Sequence, residues 1–220
     1  YPFDTRRGRI SVLRLGADLR PTGPAVPVID EPRHLSYPFL LEHQGALYMV
    51  PESARSQRVD LSRCIEFPHR WVFECGLLTG IEAADATLFE HEGRWWLFCA
   101  ARWGKVRINE SLFAFHADSP LSDRWTPHPK NPLVRDYSGG RPAGRIFRDD
   151  SGALIRPAQD CVPRYGYGLV LKRIETLKPE RYAERPIWRT NGESAGGWRA
   201  LHHLDWHAGL LVMDAQRLIP

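Results

Sequence analysis

No run of about 18 apolar residues, the length a helix needs to cross a bilayer, occurs in this 220-residue chain, so no membrane span is expected. A charged-then-apolar leader is also missing, and the chain starts at Tyr1 rather than at Met, which is compatible with a processed or trimmed start. Lysine is scarce. The formal charge of +4 and the pI near 9.0 come almost entirely from arginine, with no basic helix, aromatic RNA-binding signature or zinc motif, so nucleic acid is not an expected partner. Cysteines are few, and Cys64, Cys75, Cys99 and Cys161 include no pair at the two- to four-residue separation of structural zinc sites. No metal and no cofactor are expected. The favoured reading of the four is buried free thiols in a reducing cytoplasm, which makes the expected location cytoplasmic. Cys64 and Cys75 flank the Pro68 to Arg70 turn symmetrically and are expected to lie close across a hairpin, yet reduced. Long helices are disfavoured by 18 Gly and 18 Pro.

What the chain does have is repetition. Ser36 to Glu52, Asp85 to Ala101 and Arg141 to Asp160 each read as a polar opening, an alternating apolar strand, a turn at Gly45, Gly93 or Gly152, and a second apolar strand, the pattern of a hairpin. A fainter fourth copy runs from Leu201 to Ala215, with its turn at Gly209. Copies roughly fifty to sixty residues apart, the length of one four-stranded sheet, imply an all-β fold and a β-propeller or a similar array. Further strands are expected at Arg58 to Phe67 and Trp71 to Leu78, at Ser111 to Ala117 and more weakly from Trp125 to Val134, and at Tyr167 to Ile174 and Ile187 to Thr190. The 8 tryptophans are expected mostly between sheets. Arg9 to Leu15 and Ala25 to Ile29 read as the outer half of a blade, and the segment after Leu201 as an inner half. Three whole blades and two halves, about four blade-equivalents, give either a closed four-bladed ring, in which Leu210 to Asp214 pairs with Arg9 to Leu15, or an incomplete five-bladed one. Residues 1–220 are expected to form a single domain with an incomplete first blade.

The first strand of each propeller blade lines the central channel, so the openings of the repeats converge. That set is Ser36, Tyr37, Asp85, Arg141, Arg145 and His202, joined by Glu52 and Asp160 at the ends of second strands. Carboxylates and guanidinium groups around one funnel suit sugar chemistry. The competing reading is structural: Asp85 and Asp160 cap turns and pair with arginines, and His202 and His203 lack a third metal ligand.

The motifs His34 to Glu52, Asp85 to Phe98, His116 to Val134, Arg141 to Phe147 and Arg156 to Leu171 resemble the N-terminal domain of the glucosamine inositolphosphorylceramide transferase family. The resemblance covers most of the chain from Gly8 onward. It implies a five-bladed propeller related to family 43 glycoside hydrolases. The Asp-Pro-Phe hairpin that opens the first blade in the family is not in this chain, and Tyr1 to Leu15 resemble the segment immediately after it. By the same resemblance, Asp85 stands where an aspartate tunes the general acid of the hydrolases, and Arg141 stands at the general-acid glutamate position. A guanidinium with a pKa above 12 cannot donate a proton at neutral pH, so ordinary glycoside hydrolysis is not expected.

Arginine there suits an anion. The main expectation is a carbohydrate-recognition propeller accessory to glycoconjugate synthesis. It would bind a sugar phosphate, nucleotide sugar or acidic glycan through Tyr37, Arg141, Arg145 and His202, with Asp85 and Asp160 on sugar hydroxyls, beside a fused or separate transferase domain. One alternative is a glycosidase- or phosphorylase-like enzyme using Asp85 with Glu52 or Asp160. The other is a protein-binding propeller with an exposed apolar rim.

Overall fold

The computed structural model describes residues 5, 7–207 and 209–217. Among them the regular structure is β apart from two short 3-10 turns, in five successive sheets. The first is a ribbon of β1 (Ile10–Val12) and β2 (Val26–Ile29). The second holds β3 (Ser36–His43), β4 (Ala46–Glu52), β5 (Arg58–Glu66) and β6 (Arg70–Thr79). The third holds β7 (Glu82–His91), β8 (Arg94–Arg102) and β9 (Ser111–Ala117), with the short β10 (Thr126–Pro127) and β11 (Val134–Arg135) both on β9. The fourth holds β12 (Phe147–Arg148), β13 (Leu154–Asp160), β14 (Gly168–Lys178) and β15 (Arg181–Asn191). A second ribbon, β16 (Leu204–His207) and β17 (Leu210–Met213), follows.

Local chemistry explains the regular parts. Gln44-Gly45 and Glu92-Gly93 have both residues at positive φ, as a two-residue type I′ turn requires, and this sets the register of β3–β4 and β7–β8. The weak run from Trp125 to Val134 splits into β10 and β11 because Pro127, Pro129 and Pro132 remove ladder donors along it. Apolar side chains pack between consecutive sheets. Leu41, Val59, Leu61 and Leu77 meet Leu88, Leu97, Phe113 and Phe115, and Trp96, Phe98 and Leu112 meet Leu154, Ile174 and Leu177.

Two expectations are corrected. Among the described residues β17 pairs with β16 and β1 with β2, so Leu210 to Asp214 does not join Arg9 to Leu15. The N-terminal ribbon instead seats Ile10, Val28 and Ile29 against Leu35, Met49 and Trp71, which removes the closed four-bladed alternative and leaves the incomplete five-bladed one. Residues 1–4 and 6 of the opening segment lie outside the described residues. The third repeat also does not start with a continuous strand: a bridge at Pro142 to Ala158 precedes the two-residue β12. The break is at Gly144, φ +140, where an added Cβ would fall 1.7 Å from the Leu204 carbonyl oxygen. Leu204 donates its N–H to Ala143 at 2.8 Å, so the chain entering β16 runs hard against the position that only glycine can fill.

All four cysteines are free. Cys64 pairs in register with Trp71 and Cys75 with Leu61, so the expected closeness of Cys64 and Cys75 fails. The hairpin register sets them three strand positions apart, about 10 Å. No helix among the described residues is long and apolar enough to cross a membrane.

Candidate functional site

Two bulges build the site. The β3–β4 register shifts between Ser36 and Phe39, and the β7–β8 register between Ala84 and Thr87. Inside them Tyr37 and Asp85 adopt left-handed backbone, φ 43° and 55°. A bulge adds a residue to one strand and re-aims its side chain. Both side chains enter one cavity of about 390 Å³, with Ser36, Glu52, Arg141, Gln159, Tyr165, His202, His203 and Asp214 also on its wall.

Asp85 is its electrostatic centre. Its carboxylate, 4% exposed, accepts from Arg141 Nε at 2.5 Å and from Gln159 Nε2 at 3.1 Å. Arg141 also donates Nη1 to Asn109 Oδ1 at 2.7 Å, lies 3.8 Å through Nη2 from Glu52, and stacks 4.9 Å from the Tyr165 ring centroid. One guanidinium thus faces two carboxyl groups. Burial, and then the charge on Asp85, raise the Glu52 pKa to about 8 against the opposing pull of Arg141. Glu52 therefore carries a proton near neutral pH, while Arg141 makes its short contact with Asp85.

The rest of the wall is polar and aromatic. Tyr37 bonds Thr87 Oγ1 at 2.9 Å, and burial holds its hydroxyl far above the usual phenol range. Burial, helped by the charges on Asp85 and Glu52, raises the Tyr165 hydroxyl to about 12 against the opposing pull of Arg141. The His202 Nδ1 lies against the Asp214 carboxylate, which also accepts the backbone N–H groups of His202 and His203. His203 sits edge-on to Tyr37 at 4.9 Å. Burial lowers its pKa, and its Nδ1 is shielded without a hydrogen-bond partner among the described residues. No group of three or more potential metal ligands occurs among the described residues.

Of the residues singled out from the sequence, Tyr37, Glu52, Asp85, Arg141 and His202 meet at this wall, and Arg145 and Asp160 do not. Arg145 turns away to Asp205 at 3.0 Å and the Leu40 carbonyl at 2.7 Å, over the Phe39 ring. Asp160 accepts the Val162 N–H at 3.1 Å and pairs with Arg189, the capping and pairing role set against the functional one. The strand that carries it explains the error. Every residue of β13 is buried, so no polar alternation marks which side faces the channel, and a one-residue displacement exchanges the faces. Gln159 faces the cavity in its place. Tyr165, Gln159, His34 and Asp214 belong to the wall without having been picked out. Tyr165 and Asp214 lie outside the repeated strand openings and had no signal there.

Residues 5–218 match the family described as glucosamine inositolphosphorylceramide transferase 1, N-terminal. The chain belongs to this family. Relatives called glucosamine inositolphosphorylceramide transferase 1 are 36% identical over 194 residues in Oryza sativa subsp. japonica and 34% identical over 198 residues in Arabidopsis thaliana. Each comparison covers 86% of this chain and 25% of the relative, so the chain spans a quarter of the length of these curated proteins. In three dimensions it resembles an exo-β-1,3-galactanase of Phanerochaete chrysosporium solved with β-1,3-galactotriose, at TM-score 0.58 and 10% identity over 96% of this chain and 47% of that one. It also resembles the GH43_1 enzyme of Xanthomonas citri complexed with xylotriose, at TM-score 0.55 and 15% identity over 91% and 67%. At these identities the likeness is one of fold. The fold is that of the five-bladed propellers of the family 43 glycoside hydrolases, represented among the described residues by three whole blades and two two-stranded ribbons.

Proposed function

We propose that the chain is a carbohydrate-recognition propeller accessory to glycoconjugate synthesis, and that a sugar ring occupies the cavity walled by Tyr37, Glu52, Asp85, Arg141 and Tyr165. One observation carries the reading: a concave site within the ~300–1,000 Å³ range of small-molecule sites, at about 390 Å³, joins an aromatic face to converging donors and acceptors. Tyr165 is half exposed and supplies an apolar face for a sugar ring. Protonated Glu52, Gln159 and His203 supply hydrogen-bonding groups for hydroxyls. Arg141 has its Nε and Nη1 committed to Asp85 and Asn109, so it orders the wall more than it offers a free cation. The relatives named as glucosamine inositolphosphorylceramide transferases make an amino sugar or an inositol the first ligands to try, and suggest that the remaining length of such proteins carries the transferase step.

Calorimetric titration with glucosamine, N-acetylglucosamine, xylose and myo-inositol tests the reading. Saturable binding of at least one is expected, weakened about tenfold in Tyr165→Ala, a loss of about 1.4 kcal/mol. Failure of all four to bind, or an affinity indifferent to Tyr165, would defeat it.

A second reading has its own support. A carboxyl group that keeps its proton near neutral pH, beside an ionised partner in a cleft, is what general acid catalysis needs, and Glu52 beside Asp85 meets that description. Turnover of an activated aryl glycoside, abolished by Glu52→Gln and by Asp85→Asn, would favour a glycosidase- or phosphorylase-like enzyme; no turnover favours recognition.

A further inference from the structure

A second cavity adjoins the first and shares His34 and Glu52 with it. At about 670 Å³ it is the larger, and Arg7, Arg33 and Arg55 converge on it. Their side chains are not equivalent. Arg7 is held through Nη2 by Asp30 at 2.9 Å. Arg33 is held through Nε by Glu31 at 2.6 Å and through Nη2 by Asp60 at 3.2 Å. Each keeps Nη1 uncommitted among the described residues. Arg55 is exposed and has no carboxylate or hydrogen-bond partner among the described residues. Of the carboxyl groups on the wall among the described residues, Glu82 is bonded to Arg102 at 2.8 Å and Glu52 holds its proton near neutral pH. His34 accepts the Gly8 N–H at its Nδ1, 2.9 Å away, which leaves its proton on Nε2. Among the described residues, three guanidinium groups therefore face one concavity whose acids are neutral or already paired.

A dispersed, solvated arginine surface pairs its cations with neighbouring carboxylates or spreads them apart. Here two are fixed by carboxylates with donors to spare, and the third stands unpaired over the same hollow. Planar guanidinium donors match the oxygens of a phosphate monoester.

We propose that this second cavity is the phosphoryl subsite: a ligand with its sugar or inositol ring in the central cavity sets a phosphate against Arg7, Arg33 and Arg55. The inference rests on the carbohydrate reading for the ring, and on the second cavity alone for the phosphate. It moves the anion site expected at Arg141 and Arg145 to the neighbouring wall.

The test compares glucosamine with glucosamine 1-phosphate, and myo-inositol with myo-inositol 1-phosphate, by calorimetry at low salt, with inorganic phosphate alone as a further probe. At least one phosphorylated ligand is expected to bind about tenfold more tightly than its parent ring. That gain should shrink with added salt, vanish in Arg55→Ala and return in part in Arg55→Lys. Arg55 is exposed and unpaired, so these variants should fold as the parent does, and Arg20→Ala, 85% exposed, serves as a control with the gain intact. The pair with the larger gain identifies the ring. Phosphorylated ligands no tighter than their parents, or a gain retained in Arg55→Ala, would overturn the subsite. Phosphate binding that depends on Arg55 while neither bare ring binds would instead leave the subsite standing and defeat the sugar reading.

Discussion

Arg156→Met is expected to lower the unfolding midpoint by roughly 6–12 °C, about 3 kcal/mol at ~2–4 °C per kcal/mol for a chain of this size. Arg156 is 1% exposed. It grips Glu184 with Nε at 2.8 Å and Nη2 at 2.7 Å, and donates to the Gly139 and Gly140 carbonyls at 2.8 and 3.2 Å. Removing it strands a carboxylate that is 5% exposed, with Lys172 at 3.2 Å and the Tyr182 hydroxyl at 2.5 Å as its remaining partners. Burial alone would raise the Glu184 pKa, but the Arg156 charge outweighs it and holds the value at about 2. Because that value lies below the unfolded 4.5, the stabilisation is present above pH 4.5 and is lost as pH falls towards 2. Thermal unfolding across pH 2–6 should show the acid-side loss in the parent and a weaker slope in the variant. Equal midpoints at pH 7 would show that the pair adds nothing. A local consequence also follows: the carbonyls that Arg156 holds immediately precede Arg141, so the variant should weaken sugar binding as well.

Glu52→Gln is expected to act in the opposite sense, stabilising the protein in alkali. The folded pKa of Glu52, about 8, lies above its ordinary 4.5, so the fold holds this proton more tightly than the open chain does. That contribution is complete below pH 4.5 and is lost as pH rises through about 8. At about 1.4 kcal/mol per pKa unit the loss reaches a few kcal/mol. Glutamine, nearly the same shape and always neutral, does not suffer it. Chemical denaturation at pH 5 and pH 9 should give near-equal stabilities for parent and variant at the first and a clear advantage to Glu52→Gln at the second. An advantage that does not grow with pH would mean that Glu52 is ionised in the fold, and would remove both its donor role toward a sugar and its candidacy as an acid.

The blades were legible because their signals are local. Two-residue turns at Gln44-Gly45 and Glu92-Gly93, and apolar alternation on either side, depend only on neighbours in the chain, and β9 starts and ends where its sequence pattern does. The third inner strand was not legible, because what breaks it is the Leu204 carbonyl oxygen from the following ribbon. The site was half legible for a related reason. Repeat openings brought Tyr37, Asp85 and Arg141 to one axis, whereas the choice between Gln159 and Asp160 turns on register within a fully buried strand. Arg7 and Arg33 come from separate loops and Arg55 from the 3-10 turn Ala54–Ser56, and only their arrival at one hollow distinguishes them from the many other arginines.

The paired bulges at Tyr37 and Asp85 separate two jobs that a regular strand would combine. The ladder of each hairpin resumes beyond the bulge, at Phe39 and at Thr87, so the residue inside is outside the hydrogen-bond register and can be exchanged without re-pairing a blade. The two copies already differ as far as a phenol differs from a carboxylate, on the same left-handed backbone. That backbone admits Gly, Asn and Asp readily and refuses β-branched side chains. The axis of such a ring is thus a set of interchangeable sockets, one for each bulged blade, whose chemistry can be rewritten one residue at a time while the surrounding sheets stay as they are.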